Sequence, residues 1–442
     1  MAGSRPRSIA LAGVAALTLL TTAAPAYADD EPVAHDEQIT YQDWSTFSDW
    51  RGGSHQGTLA LPHAGLTLVR PVGTTDFTDP HTGVTRTWEY GTWTSPVTEI
   101  GFDASELIAS WNAETPDGTW IQVEMQGTYN TGAHTPWYVM GRWASGDQDI
   151  RRSTLDGQGD AWSSVWTDTF SVDDVSAGVM LHAYQLRLTL YRAPDQPHPP
   201  TVRMLGAMTS YVPARFTVTP SAGRIAWGKE LAVPRYSQNV HRGHYPEYDG
   251  GGQAWCSPTS TEMVVEYWGR QPSAEDTAWV DPTYPDPTVN HAARMVYDYE
   301  YEGAGNWPFN TAYAATFPGL EGRVTRLHSL DELEHFIAAG IPVVTSQSFL
   351  ASELDGANYG TAGHLFVVVG FTETGDVIVN DPASSSNDVV RHVYKRDQFE
   401  TIWQRTKRIN ASGRVSSGPG GVVYLIKPAW KAWPQVPGST NW

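Results

Sequence analysis

The chain has 442 residues, 48 acidic and 29 basic side chains, and a formal net charge of −19. That balance excludes sequence-independent binding to DNA, RNA or anionic lipid, which needs clustered Lys and Arg to neutralise phosphates; five lysines occur, the first at Lys229. A hydrophobic fraction of 40% with 17% charged residues excludes an intrinsically disordered chain, and the length predicts two or three domains.

Residues 1–28 read as a secretory signal peptide. Arg5 and Arg7 supply a positive start, Ile9 to Leu20 an apolar core, and Ala26-Tyr27-Ala28 a small-residue cleavage site. That core is too short to span a bilayer and no later stretch of 18 apolar residues follows, so the expectation is a secreted, extracellular protein without a membrane span. The single cysteine, Cys256, then becomes informative. Exported chains normally pair their cysteines; a lone thiol is either a buried apolar residue or a reactive one.

From about residue 40 to 220 the pattern has period two. Ile121, Val123 and Met125 alternate with Gln122, Glu124 and Gln126, and Leu186, Leu188 and Leu190 with Gln185, Arg187 and Thr189. Turn clusters such as Thr115-Pro116-Asp117-Gly118 and Asp195 to Pro200 separate such runs. Many short strands without amphipathic helices predict an all-β sandwich, jelly-roll-like, over residues 29–222. Ten Trp between Trp44 and Trp166 read as its core and edge, with a sugar-stacking face as the alternative. The strand Arg215 to Thr219 is expected to be its last, before a join near Pro220-Ser221-Ala222-Gly223.

Residues 223–442 mix periods and predict an α+β domain. Cys256 to Trp268 reads as a helix with Pro258 in its first turn, Met263, Val264 and Tyr267 on one face, and Gly269 just past its end. Ser329 and Glu332 make a capping box before the apolar stripe Leu330, Leu333, Phe336 and Ile337, which Gly340 ends. Ile341 to Phe349 and Gly421 to Ile426 read as strands. His364 to Phe371 and Val377 to Asn380 read as a hairpin joined by Thr372-Glu373-Thr374-Gly375-Asp376.

Cys256 stands at the start of its helix, where free N–H groups and the helix dipole favour a thiolate. In the hairpin the two strands run antiparallel, so His364, which starts the first, and Asp381, which follows the second, lie at the same end of the ladder. A carboxylate can there orient an imidazole toward a nucleophile on another element. A histidine at a strand start is otherwise structural; the combination with a helix-start thiol points to catalysis.

Four motifs in order carry a resemblance: Val233-Pro234-Arg235-Tyr236-Ser237-Gln238, Trp255-Cys256-Ser257-Pro258-Thr259-Ser260, Gly363-His364-Leu365, and Asn380-Asp381-Pro382. Over about residues 229–428 the chain resembles the papain-like cysteine peptidases of family thirty-nine, the bacteriocin-processing, double-glycine leader peptidases and their secreted relatives. The resemblance implies Cys256 as nucleophile, His364 as general base, Asp381 as its orienter, Gln238 as side-chain oxyanion donor, and no cofactor. Gln238 lies eighteen positions before Cys256, whereas transporter-fused members keep a short spacing. Gln253 therefore competes for the donor role, and Asn380 competes with Asp381. The membrane helices and ATPase of such transporters are missing: Gly223 to Lys229, the nearest phosphate-loop match, is followed by Glu230 instead of Ser or Thr.

Other candidates carry less. His241 and His244 with Asp249, two His three apart in a Gly-rich loop, lack a convincing third metal ligand and read as a solvated loop, and neither H-E-x-x-H nor G-x-S-x-G occurs. Trp307-Pro308-Phe309-Asn310 either lines a cleft or packs a helical subdomain. The expected protein is a secreted cysteine peptidase, acting on a peptide or protein substrate through a thioester, with possible wall or glycan contact through its N-terminal domain. The alternatives are a non-catalytic wall- or glycan-binding protein and a cell-wall peptide amidase or transpeptidase with the same nucleophile.

Overall fold

A computed structural model describes residues 36–442; the signal-peptide reading of residues 1–28 lies outside them. The period-two half forms two seven-stranded antiparallel sheets. In the first, the strands Ser163–Trp166, Thr169–Val172, Glu106–Glu114, Thr201–Tyr211, Gly65–Leu68 and Thr58–Leu61 lie side by side, and Gln38–Trp44 also pairs with Thr201–Tyr211. The second is built on Tyr138–Trp143, Thr119–Tyr129, Leu181–Arg192, Thr85–Thr94 and Ser54–Gln56. Alternation buries one face of each strand: Leu107, Ala109 and Trp111 from the first sheet share a hydrophobic core with Ile121, Val123 and Met125 from the second. Of the ten tryptophans in this half, Trp44, Trp50, Trp88, Trp93, Trp111, Trp120 and Trp143 are buried. Most of them pack core, and the stacking-face alternative fails for these seven.

Residues 230–428 fold around one six-stranded antiparallel sheet in the order Leu320–Arg326, Val422–Pro428, Val343–Phe349, Thr361–Phe371, Val377–Asn380, Arg391–Tyr394. The expected helix is α2, Cys256–Tyr267, ended by Gly269 at φ +69°. The expected capping box opens α5, Leu330–Ala338: the Ser329 hydroxyl accepts from Glu332 N, although the Glu332 carboxylate accepts from His328 N and not from the cap residue itself. The expected hairpin is present, with Val367 opposite Asn380 and Phe371 opposite Val377.

Two expectations fail. Residues 215–219 form no strand; the last strand of the N-terminal half ends at Tyr211. Pro213 and Pro220 bracket this segment and bring no N–H to a ladder. Arg215 instead pairs with Glu37, and its carbonyl accepts from Thr406 and Lys407 N. The N-terminal half also contains a helix, α1, Phe47–Gly52, opened by a Thr46–Asp49 capping box. The helices α3, Pro287–Val296, α4, Trp307–Ala314, and α6, Arg396–Gln404, complete the second half.

The two halves share their cores. Val289, Ala292, Ala293 and Val296 of α3 and Phe309, Ala312 and Tyr313 of α4 belong to the same buried cluster as the N-terminal sheets, while Ile39, Ile108 and Met208 belong to the cluster under the six-stranded sheet. Phe309 sits edge-on to Trp111 and Trp143, with ring centroids 6.0 and 5.4 Å away. Beside it, Asn112 exchanges two hydrogen bonds with the backbone of Gly322 and the Ser110 hydroxyl accepts from Val324 N, which satisfies the edge strand Leu320–Arg326 across the junction. Phe309→Ala should therefore cost about 3–5 kcal/mol and lower the denaturation midpoint of both halves together; chemical denaturation followed by Trp fluorescence and far-UV circular dichroism checks this, with coincident transitions expected.

Candidate active site

The start of α2 is fixed from two sides. The Ser257 hydroxyl bonds the Tyr424 hydroxyl of the strand Val422–Pro428 at 2.8 Å, and the Ser260 hydroxyl donates to the Leu365 carbonyl at 3.2 Å. The second bond ties the helix to the strand that carries His364. Trp255, the residue before the helix, offers no side-chain cap, so the first-turn N–H groups are not consumed by one. Cys256 is half-buried and unpaired.

His364 is buried, and its Nε2 donates to Asp381 Oδ1 at 2.9 Å. Cys256 lines the same cavity and lies within electrostatic reach of the ring, whose second nitrogen Asp381 leaves free. Burial works against the charged imidazole, yet the electrostatic influence of Cys256 and the Asp381 bond outweigh it, and the His364 pKa is pushed up to about 10. Asp381 is buried, which alone would raise its pKa. The bonds from His364, Ala383 N and the Tyr359 hydroxyl prevail and hold it below the usual carboxylate range. The Tyr394 hydroxyl donates to it as well, at 3.0 Å. Asn380, by contrast, gives its side-chain N–H groups to the carbonyls of Val233 and Pro234 and does not touch His364.

Gln238 opens a short 3-10 turn, Gln238–His241, and is anchored by its backbone N–H on Pro382 O. Its buried side chain gives one Nε2 hydrogen to Gln253 O at 2.7 Å; an amide nitrogen carries two. The Gln253 side chain is exposed and bonds Gly250 O in its own loop. Cys256, His364 and Gln238 line one cavity of about 1050 Å³, to which Asp381 is joined through His364. The four residues expected from the sequence are thus brought together. His241 and His244 lie with ring centroids 5.6 Å apart, but Asp249 turns away to accept from Ala304 N, so the three do not converge.

Three features of the cavity were not read from the sequence. Tyr359 and Tyr394 both bond Asp381, and they come from a loop and from the neighbouring strand. The third is a wall from the N-terminal half: Trp166, Thr167 and Asp168 of the hairpin between Ser163–Trp166 and Thr169–Val172 line the cavity with Trp307. Burial pushes the Asp168 pKa up to about 6, against the bonds it accepts from Trp307 N and the Thr169 hydroxyl. Trp307 lines the cleft while Phe309 packs the junction, so both readings of the Trp307-Pro308-Phe309-Asn310 segment hold, residue by residue.

The folded-state pKa of His364 exceeds the unfolded value of about 6.5. Its stabilising contribution is therefore full below that value and is lost as pH rises through about 10. For Asp381 the sign is opposite: its contribution is present above the unfolded value and lost as pH falls. Because Cys256 is the largest of the raising influences on His364, Cys256→Ala should lower the His364 pKa, leaving burial opposed by Asp381 alone. Histidine NMR titration of the two proteins measures the shift, and an unchanged His364 would contradict the coupling.

Residues 40–210 match the family model described as the peptidase C39 N-terminal domain, and residues 230–411 match that of the Peptidase_C39 like family. No curated protein matches the chain. Among solved structures, a crystal structure from Bacillus anthracis, described as that of a C39-like peptidase, matches with 19% identity and a TM-score of 0.27, covering 45% of this chain and 98% of its own. Along the chain, a region similar to the C39 N-terminal domain is thus followed by one similar to the C39-like peptidase family.

Proposed function

We propose that the protein is a secreted cysteine peptidase of papain-like α+β design, preceded by a jelly-roll-like sandwich, with the signal peptide at 1–28 and the domains at 29–222 and 223–442. The observation that carries this reading is the buried His364, bonded to Asp381 and sharing one cavity with Cys256. A raised imidazole pKa favours the imidazolium, the partner that a thiolate requires.

In this reading the Cys256 sulfur attacks the carbonyl carbon of the scissile peptide bond. The oxyanion is held by the Cys256 backbone N–H and by the unused N–H of Gln238. His364 gives its proton to the leaving amine, and the C–N bond breaks to leave a thioester. His364 then takes a proton from water, whose oxygen attacks the thioester carbon; the C–S bond breaks, the acid product leaves, and the thiolate–imidazolium pair is regenerated. Asp381 holds the imidazole in the tautomer and orientation that both steps need. Tyr359 and Tyr394, both kept protonated by burial and by the Asp381 charge, fix the carboxylate from behind.

Incubation with an epoxide-type thiol inhibitor followed by mass spectrometry should show one adduct, on Cys256, and Cys256→Ala should abolish both the adduct and peptide hydrolysis. Full hydrolysis by a folded Cys256→Ala protein would rule out the assignment. Gln238→Ala should lower kcat by about two to three orders of magnitude with little change in KM. Gln253→Ala, whose side chain bonds only its own loop, is the comparison; a large loss there with none in the Gln238 variant would assign the donor to the other amide.

A further inference from the structure

The cleft is not built by the C39-like domain alone. Seven of the ten tryptophans of the N-terminal half are buried, but Trp166 is 70% exposed, at the tip of a hairpin that reaches the cavity holding Cys256 and His364. The hairpin is held in that position by built features. Its two-residue turn has Thr167 at φ +54°, a left-handed conformation that a β-branched residue rarely adopts. The next residue, Asp168, is buried and accepts from the backbone N–H of Trp307 at 2.8 Å, at the first turn of α4. One carboxylate thus fixes Trp166 and Trp307 relative to each other on either side of the domain junction. Tyr301 completes this wall: it lines the cavity and lies within electrostatic reach of both Asp168 and Cys256.

We propose that the N-terminal domain sets the substrate preference of the cleft, with Trp166, Trp307 and Tyr301 forming an aromatic subsite for an aromatic or large aliphatic side chain of the peptide substrate. The inference rests on the peptidase reading of Cys256 and His364. A stacked sugar is the other familiar guest of an exposed Trp, but it needs carboxylates or amides beside the ring to bind its hydroxyls. The carboxylate nearest in sequence, Asp168, is turned inward and occupied by Trp307 N and the Thr169 hydroxyl. An apolar side chain makes no such demand; its transfer out of water supplies the selectivity.

The test uses the full-length protein and a fluorogenic peptide library in which one position at a time is varied. The wild type should prefer Phe, Trp or Leu over Ala at one position near the scissile bond. Trp166→Ala should reduce that preference, measured as a ratio of kcat/KM values, about tenfold or more, and Trp166→Phe should retain most of it. Trp162→Ala, at an exposed Trp of the same region that does not line the cavity, should leave the ratio unchanged. An unaltered ratio in Trp166→Ala overturns the proposal. If the wild type cleaves no peptide, the peptidase reading fails separately. Fluorescence anisotropy with labelled members of the same library then tests the subsite in the Cys256→Ala protein. Tighter binding of aromatic members, lost on adding Trp166→Ala, supports it. Equal binding of all members, or binding of N-acetylglucosamine oligomers in their place, overturns it.

Discussion

The packing of Phe309 against the paired rings of Trp111 and Trp143 is the contact on which the rest of the molecule depends. Two domains joined by a linker normally meet through a modest, polar interface and move against each other. Here helices α3 and α4 complete the hydrophobic core of the N-terminal sheets, and residues of those sheets extend the core under the six-stranded sheet. Close-packed interiors do not slide. The junction therefore acts as one rigid body, and the Trp166 hairpin becomes a fixed wall of the cavity instead of a passing neighbour.

The candidate site inherits its precision from regular structure. The strand pairing that sets Val367 opposite Asn380 brings His364 and Asp381 to one end of the ladder, and a single hydroxyl bond from Ser260 to the same strand brings Cys256 to meet them. Asp381 then receives four hydrogen bonds, from His364, Ala383 N, Tyr359 and Tyr394. A buried carboxylate is costly to charge unless its lone pairs are filled. With all four in place the group stays ionised, and it can hold an imidazolium away from bulk water.

How much of this is legible in the sequence follows the range of each interaction. The hairpin around Thr372–Asp376, the start of α2 and the strands with clean alternation are local signals, and they place Cys256, His364 and Asp381 correctly relative to their elements. Helix α3 also carried a readable signal, with Pro287 in its first turn and Val289, Ala292, Ala293 and Val296 at helical spacing, which the short length and the flanking turns concealed. Residues 215–219 misled because alternation of apolar and polar side chains says nothing about whether a partner strand is available. Tyr359, Tyr394 and Trp166 reach the site from segments whose own patterns are unremarkable. Only tertiary packing, which no local period encodes, puts them there.

The same interlocking has a kinetic side. Tyr41 N donates to Thr440 O, and the side chains of Thr325 and Asn441 bond across to the backbone of Asn441 and Arg326, so the strand Gln38–Trp44 and residues 440–441 are tied into one fabric. Closing a loop of that span is entropically slow, and chains dominated by such distant pairings fold late and cooperatively. Phe309 is made 198 residues after Trp111 and 166 after Trp143, the two rings it packs against. The strand that positions Cys256, Thr361–Phe371, follows later still. Assembly order therefore leaves Cys256 without its cavity until His364 and Asp381, more than one hundred residues further on, have been made.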